Sequence, residues 1–145
     1  MADAGRQVTI VRPGHGQTVT VAGDEYRFLG TGAGTDGCYF VMAATVPPGG
    51  GPPPHMHARE EEGFYVLDGE LDFTAEDKTL RLGPGNYINM PKGTPHAFKN
   101  NTERPARMLI TCAPAGIEHF FAEADGKPPE ALAEIAARYG ITILV

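Results

Sequence analysis

His55 and His57 flank Met56, and a strand places residues i and i+2 on one face, so two imidazoles can converge on a single point. Glu62 follows five residues after His57. On an unbroken strand that odd offset would face the other way, so residues 58–61 must turn or bulge between strands. His96 comes after Pro91-Lys92-Gly93-Thr94-Pro95, a turn that starts a new strand close by. Each histidine alone reads as a polar loop residue. Three neutral imidazoles and one carboxylate together suit one divalent transition metal, Fe, Mn, Co, Ni, Cu or Zn, and ligand chemistry does not choose among them. His15, between Gly14 and Gly16, and His119, in the tail, have no partner at ligand spacing and read as non-ligands. Glu60 and Glu61 read as solvated charges beside the site.

The rest of the chain must position these groups. At 145 residues it is about one domain long, with 19 Gly and 13 Pro scattered without period between short apolar runs. Strands are expected at 8–11, 18–21, 26–29, 38–46, 64–67, 71–73, 80–82, 86–90, 96–99 and 108–112. Asp68-Gly69 predicts a tight hairpin between 64–67 and 71–73. Residues 31–37 form a glycine-rich loop with no helix pattern after it, and 47–54 is a Gly/Pro stretch. Such regular spacing implies an antiparallel sandwich or barrel. The tail changes period: Ile117, Phe120, Phe121 and Ala124 form one helical stripe. Leu132, Ile135, Ala136 and Tyr139 form a second, closed by Gly140. The expected fold is all-β, a double-sheet antiparallel β-barrel with two short C-terminal helices. It forms a single domain over 1–145, with a barrel core at about 8–113 and a tail at about 114–145.

Composition excludes several partners. A net charge of −6 disfavours nucleic acid, which wants a basic face. No apolar stretch is long enough for a membrane helix, and residues 1–7 lack the basic-then-apolar pattern of a secretory leader, so the expectation is cytoplasmic. Cys38 and Cys112 are expected to be reduced and buried.

The segment 49–100 resembles the two signature motifs of the cupin superfamily. G-x5-H-x-H-x3,4-E-x6-G is met by Gly49, His55, His57, Glu62 and Gly69, and G-x5-P-x-G-x2-H-x3-N by Gly85, Pro91, Gly93, His96 and Asn100. Every fixed position is present, and of the neighbouring glutamates only Glu62 also places Gly69 correctly. The resemblance, closest to quercetin dioxygenase-like single-domain cupins, implies a barrel of two sheets with a metal held at its wider end. It carries the ligand roles to His55, His57, Glu62 and His96, turn roles to the glycines and Pro91, and a proton-accepting role to Glu62.

Strand parity nominates the pocket walls. Phe64 and Val66 share the face of Glu62, and Phe98 that of His96. In 38–46, Phe40 and Met42 compete with Tyr39 and Val41 for the inward face. An apolar pocket of this kind suits an aromatic or otherwise hydrophobic ligand, and the resemblance implies a metal-dependent dioxygenase acting on an aromatic or enolisable hydroxy-carbonyl substrate, with O2 as a candidate co-substrate. A non-oxidative isomerase, a polyketide cyclase-like enzyme and a binding barrel are the alternatives. A homodimer is expected, with 8–21 or 141–145 as the shared strand.

Overall fold

The computed structural model describes residues 6–144. The leader reading for residues 1–5, and the last residue of the 141–145 run, therefore lie outside the described residues. Among the described residues, eleven strands and three helices follow in order: β1 Thr18–Val21, β2 Asp24–Gly30, α1 Gly32–Thr35, β3 Phe40–Val46, β4 His55–His57, β5 Glu61–Asp68, β6 Leu71–Ala75, β7 Lys78–Leu82, β8 Tyr87–Met90, β9 His96–Lys99, β10 Ala106–Ala113, α2 Glu118–Ala124, α3 Pro129–Arg138 and β11 Ile141–Ile143. They form two antiparallel sheets, β1-β2-β3-β10-β5-β8 and β11-β4-β9-β6-β7. The expected double-sheet, all-β fold with two C-terminal helices is the one observed.

Alternation explains the packing. In β3 every second residue is buried, Phe40, Met42, Ala44 and Val46, so the inward face is the Phe40/Met42 one. β10 alternates in the same way from Ala106 to Cys112. The sheets meet through aromatic rings: Phe64 of one lies 5.4 Å from Phe73 and 5.8 Å from Phe98 of the other. Offset rings at this spacing bury large areas without a face-to-face clash. Phe120, Phe121, Leu132 and Ile135 from the tail helices belong to the same buried cluster.

Four local expectations are corrected. Residues 8–11 form no strand, and Val8 and Ile10 stand exposed, because no neighbouring strand accepts their backbone. The loop at 31–37 contains the one-turn helix α1. Asp68-Gly69 is a turn but not a hairpin: β5 and β6 belong to different sheets, and Gly69 at φ 74 carries the chain across. The hairpin is instead β6–β7, turning at Glu76 with φ 58. Cys38 is exposed, whereas Cys112 is buried as expected. At the C-terminus, β11 pairs with β4 of the same chain, Ile141 opposite His57 and Ile143 opposite His55, and forms the edge of its sheet.

Asp24 anchors the loop that leads into β4. It is fully buried, accepting hydrogen bonds from the Gly51 N–H at 3.2 Å and the Tyr26 hydroxyl at 3.3 Å. Burial pushes its carboxyl from 3.8 up to about 6, against the pull of those two donors. The folded state therefore holds this proton more tightly than the unfolded chain, and stability falls as pH rises from about 4 through 6. Asp24→Asn cannot ionise, yet keeps an oxygen for Gly51 and an amide for the Tyr26 oxygen. We expect it to stabilise the chain by about 1 kcal/mol at pH 7.5 and not at all at pH 4. Thermal scans at both pH values test this, and an equal melting temperature for both chains at pH 7.5 refutes it. Because tail and barrel share one cluster, we propose one domain over the whole chain, and those scans should show one transition.

Candidate metal centre

The site spans both sheets. β4 carries His55 and His57, and β9 carries His96 in register opposite His55. Glu62 reaches in from β5 on the facing sheet, which resolves its odd offset: residues 58–60 cross between sheets before β5 begins. The turn before His96 is tied to β4 by the Gly93 N–H donating to the His57 carbonyl at 2.8 Å. One potential ligand atom from each of His55, His57, Glu62 and His96 lies within 4.8 Å of the others. All but His55 are buried, and His55 is half-buried.

The outer nitrogens are held as metal ligands require. His55 Nδ1 is 2.8 Å from the Pro53 carbonyl and His96 Nδ1 is 2.9 Å from the Thr94 carbonyl, each two residues upstream. A carbonyl can only accept, so each Nδ1 carries the hydrogen and each Nε2 is turned inward, where it would ligate a bound metal. Glu62 Oε1 lies between His57 Nε2 at 3.1 Å and His96 Nε2 at 3.0 Å. Its other oxygen is 3.8 Å from the Cys112 thiol. Both His57 nitrogens are buried without a well-formed hydrogen bond. That is a cost that a bound cation removes at Nε2. The donor set fits a divalent metal.

Electrostatics agree. Burial alone would raise the Glu62 carboxyl, but the charge of His57 in close contact and the hydrogen bond from His96 Nε2 hold it well below the usual carboxylate range. Burial also pulls His57 down, yet Glu62, with help from Glu60, lifts it to about 9. Burial takes His55 to about 4, so it is a neutral donor at pH 7. The cluster holds an anion that wants a cation, and a proton on His57 fills that role when no metal does.

A cavity opens on His55, His57 and Glu62, walled by Met42, Phe98, Ile110, Phe121, Leu132 and Ile141. Of the five residues nominated as substrate contacts, Met42 and Phe98 line it, while Phe40, Phe64 and Val66 pack in the core away from it. Half of those six wall residues come from the tail, which strand parity could not place. Tyr26 also lines the cavity. Its hydroxyl is the one polar side-chain group there apart from the ligands, among the described residues.

The motif Asn100 is a structural plug rather than a ligand. Fully buried, it donates to the Val46 and Arg104 carbonyls and accepts from the Thr102 N–H and hydroxyl. Glu61 is exposed as expected, with a carboxylate oxygen accepting from the Lys92 N–H at 2.7 Å. Glu60 is not solvated. It is buried, with Oε1 3.4 Å from His57 Nδ1. Strand parity could not have placed it, since Glu60 belongs to the segment that crosses between the sheets before β5 begins at Glu61. His15 and His119 are exposed and outside the cluster.

The cupin-domain family model matches residues 42–112, the segment that contains all four candidate ligands. Residues 42–112 are a cupin domain. Quercetin 2,3-dioxygenase of Bacillus subtilis is 26% identical to this cupin over 112 residues, covering 77% of this chain and 33% of the enzyme. Quercetin 2,3-dioxygenase of Aspergillus japonicus is 28% identical over 114 residues, covering 74% and 32%. The cupin thus spans about a third of the length of these curated relatives. Among solved structures, an RmlC-like cupin from Shewanella frigidimarina superposes with a TM-score of 0.68 at 16% identity, covering 79% of this chain and 97% of that one. The polyketide cyclase RemF from Streptomyces resistomycificus gives 0.65 at 24% identity, covering 74% and 80%. These likenesses establish the fold. No helix among the described residues is long and apolar enough to cross a membrane.

Proposed function

We propose that this cupin is a metal-dependent enzyme that binds a small, largely apolar molecule with adjacent hydroxyl and carbonyl oxygens and oxidises it with O2, as a quercetin 2,3-dioxygenase-like dioxygenase. The observation that carries the reading is the apolar cavity that opens directly on the three-histidine, one-glutamate cluster. Among the described residues no lysine or arginine lines it, so there it offers no fixed cation of the kind a phosphorylated or carboxylated substrate would want. The named relatives support the oxidative form of the chemistry.

His55, His57, Glu62 and His96 would hold the metal, which supplies Lewis-acid polarisation and, if redox-active, electron transfer involving O2. The chain supplies the rest. Met42, Phe98, Phe121 and Leu132 exclude water and clamp an apolar body. Glu62 takes the proton of the substrate hydroxyl on a carboxylate oxygen. It becomes basic enough only as it gives up its contacts to His57 and His96, because those contacts are what depress it. The Tyr26 hydroxyl, held by Asp24, offers one orienting hydrogen bond.

Metal should be loaded anaerobically, and oxygen consumption then followed with catechols, flavonols and 1,3-diketones. We expect uptake with at least one redox metal and none with Zn. No uptake with any metal sinks the dioxygenase reading. A polyketide cyclase-like or isomerising activity is the second reading, favoured by the fold shared with RemF together with the apolar cavity. It predicts product under nitrogen. Saturable binding without turnover in either atmosphere would leave a binding barrel. The two free thiols fit a reducing cytoplasm. A homodimer is part of the same proposal, and light scattering should give twice the 15.4 kDa chain mass.

A further inference from the structure

The three imidazoles of the centre are not anchored alike. His55 and His96 each rest their outer nitrogen on a backbone carbonyl two residues upstream, Pro53 and Thr94. That device is closed to His57. Its residue two upstream is His55, within the same strand, where the backbone is committed to pairing with β11 and β9. What faces His57 Nδ1 instead is Glu60 Oε1, 3.4 Å away. Both side chains are about nineteen-twentieths buried, and that carboxylate oxygen has no hydrogen-bond partner among the described residues.

We propose that Glu60 is the positioning residue of the metal centre: its carboxylate receives the His57 Nδ1 hydrogen, fixes the tautomer that turns Nε2 to the metal, and makes His57 the strongest donor of the three. This rests on the reading of His55, His57, Glu62 and His96 as the ligand set. An ionised carboxylate accepts more strongly than a carbonyl and pulls electron density through the ring to Nε2. The 3.4 Å contact lies just beyond an ordinary hydrogen bond, within reach of a small side-chain adjustment. A buried carboxylate is costly to keep unless it serves a buried donor, and His57 Nδ1 is the one the structure supplies. Glu61, one residue on, points outward to the Lys92 turn and provides an internal comparison.

The test uses Zn2+ as probe, competed against a chromophoric chelator, with wild type, Glu60→Gln and Glu61→Gln. Wild type and Glu61→Gln should bind one equivalent with equal affinity. Glu60→Gln should still bind one equivalent, 10- to 100-fold more weakly, the range expected for an outer partner of a ligand. In Zn-loaded wild type, nitrogen NMR of His57 should show a protonated Nδ1 engaged in a strong hydrogen bond, a readout that does not depend on any variant folding. A Glu60→Gln affinity within twofold of wild type, or a His57 protonated at Nε2, overturns the proposal while leaving the ligand set standing. A wild-type chain that takes up no Zn2+ overturns both.

Discussion

His57→Ala should abolish stoichiometric metal binding, weakening affinity by more than about 100-fold, the upper end of what an outer partner commands. The loss exceeds a simple ligand count because His57 also carries the positive charge that faces Glu62 in the metal-free chain. With the imidazole gone, Glu62 remains buried beside His96 alone, and its carboxylate gives up its largest stabilising contact. The pH dependence of the metal-free chain should change with it. His57 is raised to about 9, so its contribution is fully present below about 6.5 and lost as pH rises through 9. Glu62 is depressed, so its contribution is present above about 4.5 and lost in strong acid. The wild-type pair therefore stabilises most between those limits, and the variant should lose that plateau. Metal content after gel filtration and melting temperatures across pH check both parts. Unchanged metal content in His57→Ala would refute the ligand assignment.

Gly51→Ala should be among the most destabilising single changes in the chain, about 3 kcal/mol or more. Its φ of 126 lies where side chains are strained, and an added Cβ would overlap the Phe98 carbonyl oxygen and come 2.9 Å from Lys99 Cα. Those are backbone atoms of β9 and cannot swing aside. Gly49 and Gly50 lie against the same strand end, exchanging hydrogen bonds with Asn100 at 2.8 and 2.9 Å. Forcing this loop away from β9 separates His55, which follows the loop, from His96, which begins β9. Metal affinity should fall along with stability. Gly14→Ala is the comparison: its φ is 77 but nothing lies within 4 Å, so about 1 kcal/mol is expected. Urea unfolding of both variants decides it. A Gly51→Ala chain within 1 kcal/mol of wild type contradicts this account of the loop.

The clustering of His55, His57, Glu62 and His96 was readable because these residues obey local rules. The His55-x-His57 parity, the turn before His96 and the glycines at positive φ are properties of short segments. What the sequence left open depends on which distant strands meet. Asp68-Gly69 looked like a hairpin because turn chemistry is local, whereas the choice between pairing within a sheet and crossing to the other is made by the packing of Phe64 on Phe73. Residues 8–11 have strand-like composition, but no backbone partner stands beside them. Glu60 was hidden inside an acidic run, where composition says surface and only the crossing between the two sheets turns it toward His57. The tail stripes were legible as helices, while their contribution to the cavity wall was not, since amphipathic period shows a buried face without showing what it covers.

The central claim is one metal at one place. Anomalous scattering or X-ray absorption from the wild-type chain loaded with a single equivalent of Fe(II) or Zn(II) tests it most directly. The account predicts one ion bonded at about 2.0–2.2 Å to Nε2 of His55, His57 and His96 and to a Glu62 oxygen. A chain that retains no ion, or one that binds it through other residues, would contradict it.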